Sequence, residues 1–372
     1  MVISADVLRS YRSIDEKTVD GLLAQEIKNN NKKIVVLDDD PTGVQTVHDI
    51  SVYTGWDADS LREAFAEENN LFYILTNSRG FTKEQTKTAH LEIADAVDRA
   101  AKEASRDYIF ISRSDSTLRG HYPLETRLLK ECYERNTGVK LDGEILCPFF
   151  KEGGRYTIVD VHYVKYGDEL VPAHETEFAK DKTFGYTAEN LPDYVEEKTA
   201  GEYKAKDVIS ISLEDIRSMD FDKIESQLMS AKNFNKIIVN AIDYSDIKVF
   251  AVALFRAMNA GKMFMFRTAA ALVKVMGGVS DMPLLTRSDM IVNETENGGI
   301  IVVGSHTAKT TSQLECLKEI ADIEFIELDA NLVRDEEGFA NEVDRCLALE
   351  EEHIKSGKTV CCYTSRSLVV AN

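Results

Sequence analysis

The sequence contains little of what secreted, membrane-bound or zinc-binding proteins need. Its 372 residues include six cysteines with no CxxC pair, and the seven histidines are scattered without ligand spacing. Both observations argue against a disulfide framework and a zinc site. No apolar run approaches the roughly 18 residues of a membrane span, and charged residues interrupt the N-terminal stretch where a signal peptide needs an apolar run. These absences predict a cytoplasmic protein with no membrane partner.

The sequence also has fewer basic than acidic residues. The chain has 44 Lys and Arg against 64 Asp and Glu, which gives a formal net charge of −20. Such a field repels nucleic acids and other polyanions, so no nucleic-acid partner is expected. A small anionic substrate stays compatible with this balance, because a local cluster of basic residues can hold it. The composition, 44% hydrophobic and 29% charged, is that of a globular protein, and the length suggests two domains.

Prolines number only six and no Ser/Gly-rich tract occurs, so no long flexible linker is expected. Short β-branched or aromatic runs alternate with amphipathic helical patterns, which predicts α/β sheets of mainly parallel strands covered on both faces. The clearest helix follows Thr82, which forms a capping-box pattern with Gln85, and another spans about 246–259. The predicted strands are Ile34–Leu37, Leu71–Leu75, Tyr108–Ser112, Glu144–Cys147, Val208–Ile211, Ile237–Asn240, Met263–Phe266, Ile300–Val303, Phe325–Leu328 and Thr359–Cys362.

A break in the periodicity divides the chain. Between Gly277 and Gly299, glycines, Pro283 and a polar run interrupt the strand and helix patterns. We therefore expect two three-layer α/β domains, one over residues 1–285 and one over 286–372. The second has only three predicted strands and two helices, and it ends in the apolar run Leu368–Val370. We expect this C-terminal domain to be incomplete.

Three carboxylates follow the first predicted strand. Asp38, Asp39 and Asp40 come at the end of an apolar run, and a Pro and a Gly then turn the chain. In open parallel sheets ligands bind at this edge. Clustered carboxylates there can hold Mg²⁺, accept hydrogen bonds from hydroxyls or act as a general base. The alternative is a solvated turn with a helix cap, for which three mutually repelling acids are a poor choice.

Arginines follow the next two strands. Arg79 lies between a strand end and the Thr82 cap, and the segment 111–120 contains Arg113, Arg119, Asp115 and four hydroxyl side chains. A guanidinium at such a position suits a carboxylate or phosphate. Because the ends of parallel strands meet at one edge of a sheet, we expect these arginines to lie near the three acids. The convergence predicts a functional site for a small anion.

Two further motifs are less specific. The run 300–307 places small and hydroxylated residues between a strand and a helix, as in a phosphate cradle made of backbone N–H groups. The run 153–157 reads as a turn that carries Arg155. A second alternative comes from the pattern Asp38-x-Asp40-x-Thr42, which mimics the opening signature of haloacid-dehalogenase-type phosphatases. That function would need a later catalytic Lys and a paired acidic motif, for which Glu327 and Asp329 are only a loose match.

Several of these motifs together resemble the four-carbon acid sugar kinase family, long described as a domain of unknown function. The resemblance extends from about Lys33 onward. It implies a sugar-acid-binding N-terminal domain, a nucleotide-binding C-terminal domain, and ATP-dependent phosphorylation of a terminal hydroxyl on a small four-carbon sugar acid such as a tetronate or 3-oxo-tetronate. Mg²⁺ is expected with ATP. The motifs that carry the resemblance are Asp39–Gly43, Ser78-Arg79, Asp115–Gly120, Gly154–Thr157 and Gly304–Thr307 with Lys309–Thr311 and Gln313.

Site residues follow from this resemblance residue by residue. The residues implied to line the sugar-acid site are Asp39, Asp40, Arg79, Asp115, Ser116 and Arg119, and those implied to contact the ATP phosphates are Ser305 and Thr307. We take Asp40 as the catalytic base, and Arg79 or Arg119 as the partner of the substrate carboxylate.

Two departures from the family pattern qualify the resemblance. Many members have Lys-Ile where this chain has Arg113-Ser114, and members continue further with a Gly-Gly-x-Thr motif that closes the nucleotide site. This leaves open a truncated form with impaired nucleotide binding, acting as a sugar-acid-binding protein without catalysis. It also leaves a homodimer open.

Overall fold

The computed structural model describes residues 1–291, 293 and 295–366. The apolar run Leu368–Val370 therefore lies outside the described residues. The chain divides into two compact units, Met1–Met282 and Pro283–Asn372.

The first unit alternates strands and helices. In chain order these are β1 (Ile3–Ser4), α1 (Glu16–Asn29), β2 (Lys33–Asp38), β3 (Val52–Tyr53), α2 (Ala58–Ala66), β4 (Leu71–Leu75), α3 (Lys83–Glu103), β5 (Tyr108–Arg113), α4 (Leu124–Thr137), β6 (Gly143–Cys147), β7 (Arg155–Ile158), β8 (Val161–Tyr166), β9 (Glu169–Pro172), α5 (Leu191–Lys198), β10 (Ile209–Ile211), α6 (Leu213–Arg217), α7 (Phe221–Ser230), β11 (Asn235–Val239), α8 (Tyr244–Asn259), β12 (Phe264–Thr268) and α9 (Ala270–Gly277). Short 3₁₀ helices lie at Ala5–Arg9, Ser78–Gly80, Ala173–Glu175 and Ala205–Asp207.

Eight strands of this unit form one sheet in the order β10-β11-β6-β12-β5-β2-β4-β3. Every neighbouring pair is parallel. All six residues of β2 are buried, as expected for a continuous apolar strand covered on both faces. The prediction of an α/β fold with mainly parallel sheets is confirmed, and each strand predicted for this part of the chain lies in this sheet.

Helices cover both faces of the large sheet. One layer contains α2, α3 and α4, and the other contains α1, α6, α7, α8 and α9. The predicted capping box at the start of α3 is present: the Thr82 side chain accepts from the Gln85 backbone N–H, and the Gln85 side chain accepts from the Thr82 backbone N–H (2.9 Å). The cap satisfies two backbone donors that the helix leaves unpaired. The predicted helix at 246–259 is α8, which begins two residues earlier and is capped by Asp243.

A four-stranded antiparallel sheet in the order β1-β9-β8-β7 was not predicted. Its β7–β8 hairpin turns through two residues, Val159 (φ 48°) and Asp160 (φ 61°). Positive φ at both positions is the geometry of a type I′ turn, which Asn-Gly or Gly-Gly pairs usually signal. Because neither residue is glycine, the turn leaves no recognisable mark in the sequence. The motif 153–157 contains more than a turn, since Arg155 begins a strand.

The order of the large sheet changes direction at β2. From β2 the chain runs to β4 on one side and then crosses back to β5 on the other side. Such a switch leaves a crevice beyond the carboxyl ends of the two central strands, where α/β proteins bind ligands. Asp38 is the last residue of β2 and Arg113 is the last residue of β5, so the fold directs both to this crevice.

The second unit contains α10 (Arg287–Met290), β13 (Ile300–Val303), α11 (Ala308–Lys318), β14 (Ile323–Leu328), a 3₁₀ helix (Ala330–Arg334), α12 (Glu336–Lys355) and β15 (Thr359–Thr364). Its three strands are parallel, as predicted, and their order in the sheet is β13-β15-β14. A small core forms around Ile326, Cys346 and Val360. Across both units, the residues that the structure describes include no helix long and apolar enough to cross a membrane.

Candidate active site

The three consecutive acids differ sharply in exposure. The side chain of Asp38 is fully buried, that of Asp39 is 3% exposed and that of Asp40 is 20% exposed. Asp40 accepts hydrogen bonds from the Thr42 backbone N–H (3.0 Å) and the Thr42 hydroxyl (2.5 Å), which turns the chain directly after β2. Asp40 is therefore the most solvent-accessible of the three acids.

Arg113 lies among all three acids. Its Nε donates to Asp38, its Nη2 lies 3.2 Å from Asp39 Oδ1, and its Nη2 donates to Asp40 Oδ1 at 2.7 Å. Gly43 permits this arrangement, because a Cβ there would lie 2.3 Å from Arg113 Nε and from both Asp38 oxygens. The buried guanidinium offsets the mutual repulsion of the three acids.

Arg79 approaches from the 3₁₀ turn after β4. Its Nε and Nη2 donate to the two Asp39 oxygens at 3.1 and 2.7 Å, the paired geometry of a guanidinium on a carboxylate. Its Nη1 donates to Asp40 and lies 3.6 Å from Asp115 Oδ1. Arg79 therefore links the acids after β2 to the segment after β5.

Asp115 organises the segment 115–120. Its Oδ2 accepts from the Thr117 backbone N–H (3.1 Å) and from Arg119 Nε (2.9 Å), and its Oδ1 accepts from Arg119 Nη2 (3.2 Å). Ser116 lies half-buried in the same segment. The Arg119 side chain is 27% exposed, and its guanidinium lies 5.0 Å from the ring centre of Phe178. A cation–π contact of this kind fixes the direction of the guanidinium.

The environments of the acids push their pKa values apart. Burial raises the pKa of Asp38 to about 7 against the opposing charge of Arg113, and burial also raises the pKa of Asp39. Burial opposes the ionisation of Asp40 and Asp115 too. For Asp40, Arg113, Thr42 and Arg79 outweigh that effect and lower the pKa, and for Asp115, Arg119, Arg79 and Thr117 hold the pKa well below its usual range. Asp40 and Asp115 are therefore ionised acceptors at neutral pH.

Two charged residues of this site were missed in the sequence analysis. Arg267, the fourth residue of β12, lies 3.6 Å from Glu125 of α4, and Glu125 accepts a hydrogen bond from the Ser78 hydroxyl (2.8 Å). Arg267 left a signal, because it directly follows the apolar run 263–266 just as Asp38 follows the run 34–37. Glu125 left none, since a glutamate in a helix is ordinary. Arg155 also joins the site, with its guanidinium 5.3 Å from the ring centre of Phe178.

The acids do not form a free metal site. One oxygen from each of Asp38, Asp39 and Asp40 lies within 4.8 Å of the others, a spacing that metal ligands share. However, Arg113 contacts all three carboxylates and Arg79 contacts two of them. The guanidiniums supply the positive charge that a cation would bring, so the cluster does not fit a bare Mg²⁺. Mg²⁺ remains a prediction that accompanies ATP.

The residues predicted to contact nucleotide lie in the second unit. Thr307 caps α11 by accepting from the Thr310 backbone N–H (3.3 Å), and the hydroxyls of Ser305 and Thr307 are 3.3 Å apart. Arg366 donates to the Ser305 carbonyl and to the Thr311 hydroxyl (2.9 Å). The result is an exposed loop of hydroxyls at the N-terminus of an 11-residue helix, with a guanidinium beside it. Helix N-termini of this kind favour phosphate groups.

Comparison with known families agrees with this division of the chain. A family model described as a sugar-binding N-terminal domain matches residues 34–276, and one described as a nucleotide-binding C-terminal domain matches residues 300–372. The chain belongs to the four-carbon acid sugar kinase family. As a family member it has the two binding domains that the resemblance implied. The roles of its individual residues remain predictions.

Three solved structures are similar to this member of the family. One, from Bordetella bronchiseptica, is a domain of unknown function described as a domain-swapped dimer with bound citrate; it is 16% identical over 91% of this chain and 76% of that chain, with a TM-score of 0.47. A Haemophilus influenzae protein is 17% identical over 88% and 74%, with a TM-score of 0.47. A protein from Salmonella typhimurium LT2 described as a tRNA synthase is 12% identical over 91% and 75%, with a TM-score of 0.51. At these identities the likeness concerns the fold alone. No curated protein matches the sequence.

Proposed function

We propose that this protein is an ATP-dependent kinase that phosphorylates a terminal hydroxyl of a small four-carbon sugar acid, such as a tetronate or 3-oxo-tetronate. The observation that carries the proposal is the meeting of Asp39, Asp40 and Asp115 with Arg79 and Arg119 at the switch point of the large sheet. Such a site offers guanidinium donors for a carboxylate and carboxylate acceptors for hydroxyls. A sugar acid presents both groups on one small molecule.

Arg119 is the better candidate for the substrate carboxylate. Its side chain is more exposed than that of Arg79 (27% against 19%), and Arg79 already contacts both Asp39 and Asp40. Arg119 pairs only with Asp115 among the described acidic residues, and Phe178 supports its plane. A charge-assisted hydrogen bond from such a donor contributes about 1.5–3 kcal/mol. The sugar acid would replace water at the exposed edge of this guanidinium.

Asp40 is the candidate base. It is ionised at neutral pH and is the most exposed of the three acids after β2. It would accept the proton of the terminal hydroxyl as that oxygen bonds to the γ-phosphorus and the bond from phosphorus to ADP breaks. Phosphoryl transfer depends mainly on positioning and charge neutralisation. Ser305 and Thr307 would contact the ATP phosphates, and Mg²⁺ bound with ATP would neutralise phosphate charge.

The test is a coupled ADP-release assay over a panel of four-carbon sugar acids, with the parent protein and Asp40→Asn. We expect the parent to turn over at least one member of the panel and the variant to lose roughly 10²- to 10⁴-fold in kcat, with little change in ATP affinity. Thr88→Ala, on the exposed face of α3, is a matched control with unchanged kcat. Unchanged turnover in Asp40→Asn removes Asp40 from the role of base.

Two alternatives give different results in the same experiments. A sugar-acid-binding protein without catalysis would bind a sugar acid tightly in calorimetry and would show no ATP binding. A phosphatase would release phosphate from phosphoesters without ATP. The phosphatase alternative would use Asp38 as its nucleophile, and the complete burial of that side chain against Arg113 argues against it. A cytoplasmic location and a homodimer remain proposals, for which fractionation and the mass in solution are the tests.

A further inference from the structure

Four consecutive backbone carbonyls in the segment 115–120 are bound by buried side chains from elsewhere in the first unit. His162 donates to the Ser116 carbonyl (2.7 Å) and Tyr186 donates to the Thr117 carbonyl (3.2 Å). Tyr194 donates to the Leu118 carbonyl (2.9 Å), and Arg267 donates to the Arg119 carbonyl (3.0 Å). An unbroken run of side-chain donors on one irregular segment exceeds what a surface loop needs, because water ordinarily satisfies such carbonyls.

These donors come from three separate parts of the fold. His162 lies on β8 of the antiparallel sheet, and Arg267 lies on β12 of the large sheet. Tyr186 precedes α5, and Tyr194 lies within it. All four side chains are buried, with residue exposures between 1% and 6%. The segment between β6 and β10 therefore supplies three of the four donors. These three side chains contribute to the site through the backbone of 116–118, because their partners are the carbonyls of those residues.

The segment needs such support because its backbone conformation is unfavourable. Leu118 has φ 72°, in the left-handed region that non-glycine residues seldom adopt, and Gly120 has φ 116°. A non-glycine residue in such a region is strained and persists only where the surroundings impose it. The buried side chain of Leu118 and the Tyr194 hydrogen bond to its carbonyl impose it here.

His162 keeps one protonation state across the physiological pH range. Burial lowers the pKa of its imidazole to about 4, so the ring is neutral at physiological pH. The Ser116 carbonyl can only accept, so the Nε2 that lies 2.7 Å from it carries the proton, and Nδ1 accepts from the Thr157 hydroxyl (2.9 Å). A fixed tautomer gives a donor that does not change with pH.

We propose that Tyr194, Tyr186, His162 and Arg267 are positioning residues that hold the Ser116–Arg119 backbone so that Asp115 and Arg119 face the sugar acid. The inference rests on the proposed function for the role of the segment, but the contacts are independent of it. None of the four is assigned a contact with substrate. They act through the peptide groups that carry the binding side chains.

The variant that tests this is Tyr194→Phe in the full chain. It removes one hydroxyl and keeps the ring, which stacks on Tyr122 (5.7 Å between centroids) and meets Tyr186 edge-on (5.2 Å). Loss of this buried hydrogen bond should raise the KM for the sugar acid roughly 5- to 30-fold, with the KM for ATP unchanged. Tyr108→Phe is the matched control, because Tyr108 is 4% exposed and its hydroxyl has no partner among the described residues. A merely structural role would lower the active fraction, and hence kcat, without moving the KM for the sugar acid.

A second readout is independent of activity. Deuterium exchange of the peptide spanning 114–122 should be faster in Tyr194→Phe than in the parent and in Tyr108→Phe. Tyr186→Phe should act in the same direction and more weakly, because its bond is longer. If exchange is unchanged in both Tyr194→Phe and Tyr186→Phe, the inference is overturned. Faster exchange with an unchanged KM, in a protein whose Arg119→Lys variant does lose sugar-acid affinity, overturns it as well.

The two readouts also separate this inference from the proposed function. If the parent protein neither phosphorylates nor binds any sugar acid, the proposed function fails. The exchange experiment then still decides whether the four side chains hold the segment.

Discussion

Replacing Arg113 by methionine should destabilise the first unit in a way that depends on pH. Methionine has a similar length and no charge, so Arg113→Met removes the guanidinium without leaving a large cavity. Arg113 is 5% exposed and contacts the fully buried Asp38 and the nearly buried Asp39. The variant leaves these carboxylates with Arg79 as their nearest cation, and Arg79 contacts Asp39 and Asp40 but not Asp38.

The expected cost follows from this burial. Removing one partner of a buried ion pair costs about 3–5 kcal/mol, because the remaining charge stays buried and unpaired. The cost should be largest where the carboxylates are ionised. Without Arg113 the folded-state pKa of Asp38, already about 7 in the parent, rises further above the unfolded value of about 3.9. Stability from a raised carboxyl pKa is present below the unfolded pKa and lost as pH rises through the folded pKa. The free energy of unfolding of Arg113→Met should therefore lie about 3–5 kcal/mol below that of the parent at pH 8. At pH 5 this difference should be at least about 1 kcal/mol smaller.

The measurement is urea unfolding, monitored by the fluorescence of tryptophan. Trp56 is the only tryptophan in the chain and lies partly buried against the core of the first unit, so its signal reports that unit. Arg62→Met is the control, because Arg62 is 59% exposed and pairs with an exposed Asp59; we expect its urea midpoint to match that of the parent at both pH values. A deficit below about 1 kcal/mol at pH 8, or one that is equal at pH 5 and pH 8, would refute the reasoning.

Two further variants test packing and capping. Gly43→Ala brings a Cβ to within 2.3 Å of Arg113 and Asp38, so we expect a loss of about 1–3 kcal/mol. Gly21→Ala in α1 has nothing within 4 Å and should gain about 0.5–1 kcal/mol; a Gly43→Ala protein as stable as the parent would contradict the close approach. Thr82→Ala removes the cap of α3 and should cost about 1 kcal/mol, against a change within about 0.5 kcal/mol for the exposed Thr88→Ala. If the urea unfolding midpoints of Thr82→Ala and Thr88→Ala are equal, the cap contributes nothing to stability.

The local features of the site could be predicted from the sequence. Asp38 to Asp40 and Arg113 each follow an apolar run, and the ends of parallel strands meet at one edge of a sheet. That rule was enough to expect the arginines near the acids. The capping box of Thr82 and Gln85 was predictable too, because a helix cap depends on residues three positions apart.

Which groups pair could not be predicted in this way. Arg79 and Arg119 looked equivalent in the sequence, yet Arg79 contacts Asp39 and Asp40 while Arg119 pairs with Asp115 on its own segment. The antiparallel sheet was missed because Val159 and Asp160 make a type I′ turn without glycine. These outcomes depend on packing around the residues and not on their neighbours in the chain.

The sequence by itself determined the fold class, the alternation of strands and helices, and the group of acids and arginines at the strand ends. These depend on hydrophobic periodicity and on residues close together in the chain. Only the tertiary structure decided that Arg113 would lie buried among three carboxylates. It alone decided that Tyr194 and Arg267, 76 and 148 residues from their carbonyl partners, would hold the backbone of the site. Such contacts depend on how the strands are ordered in the sheet, and that order is a property of the whole domain.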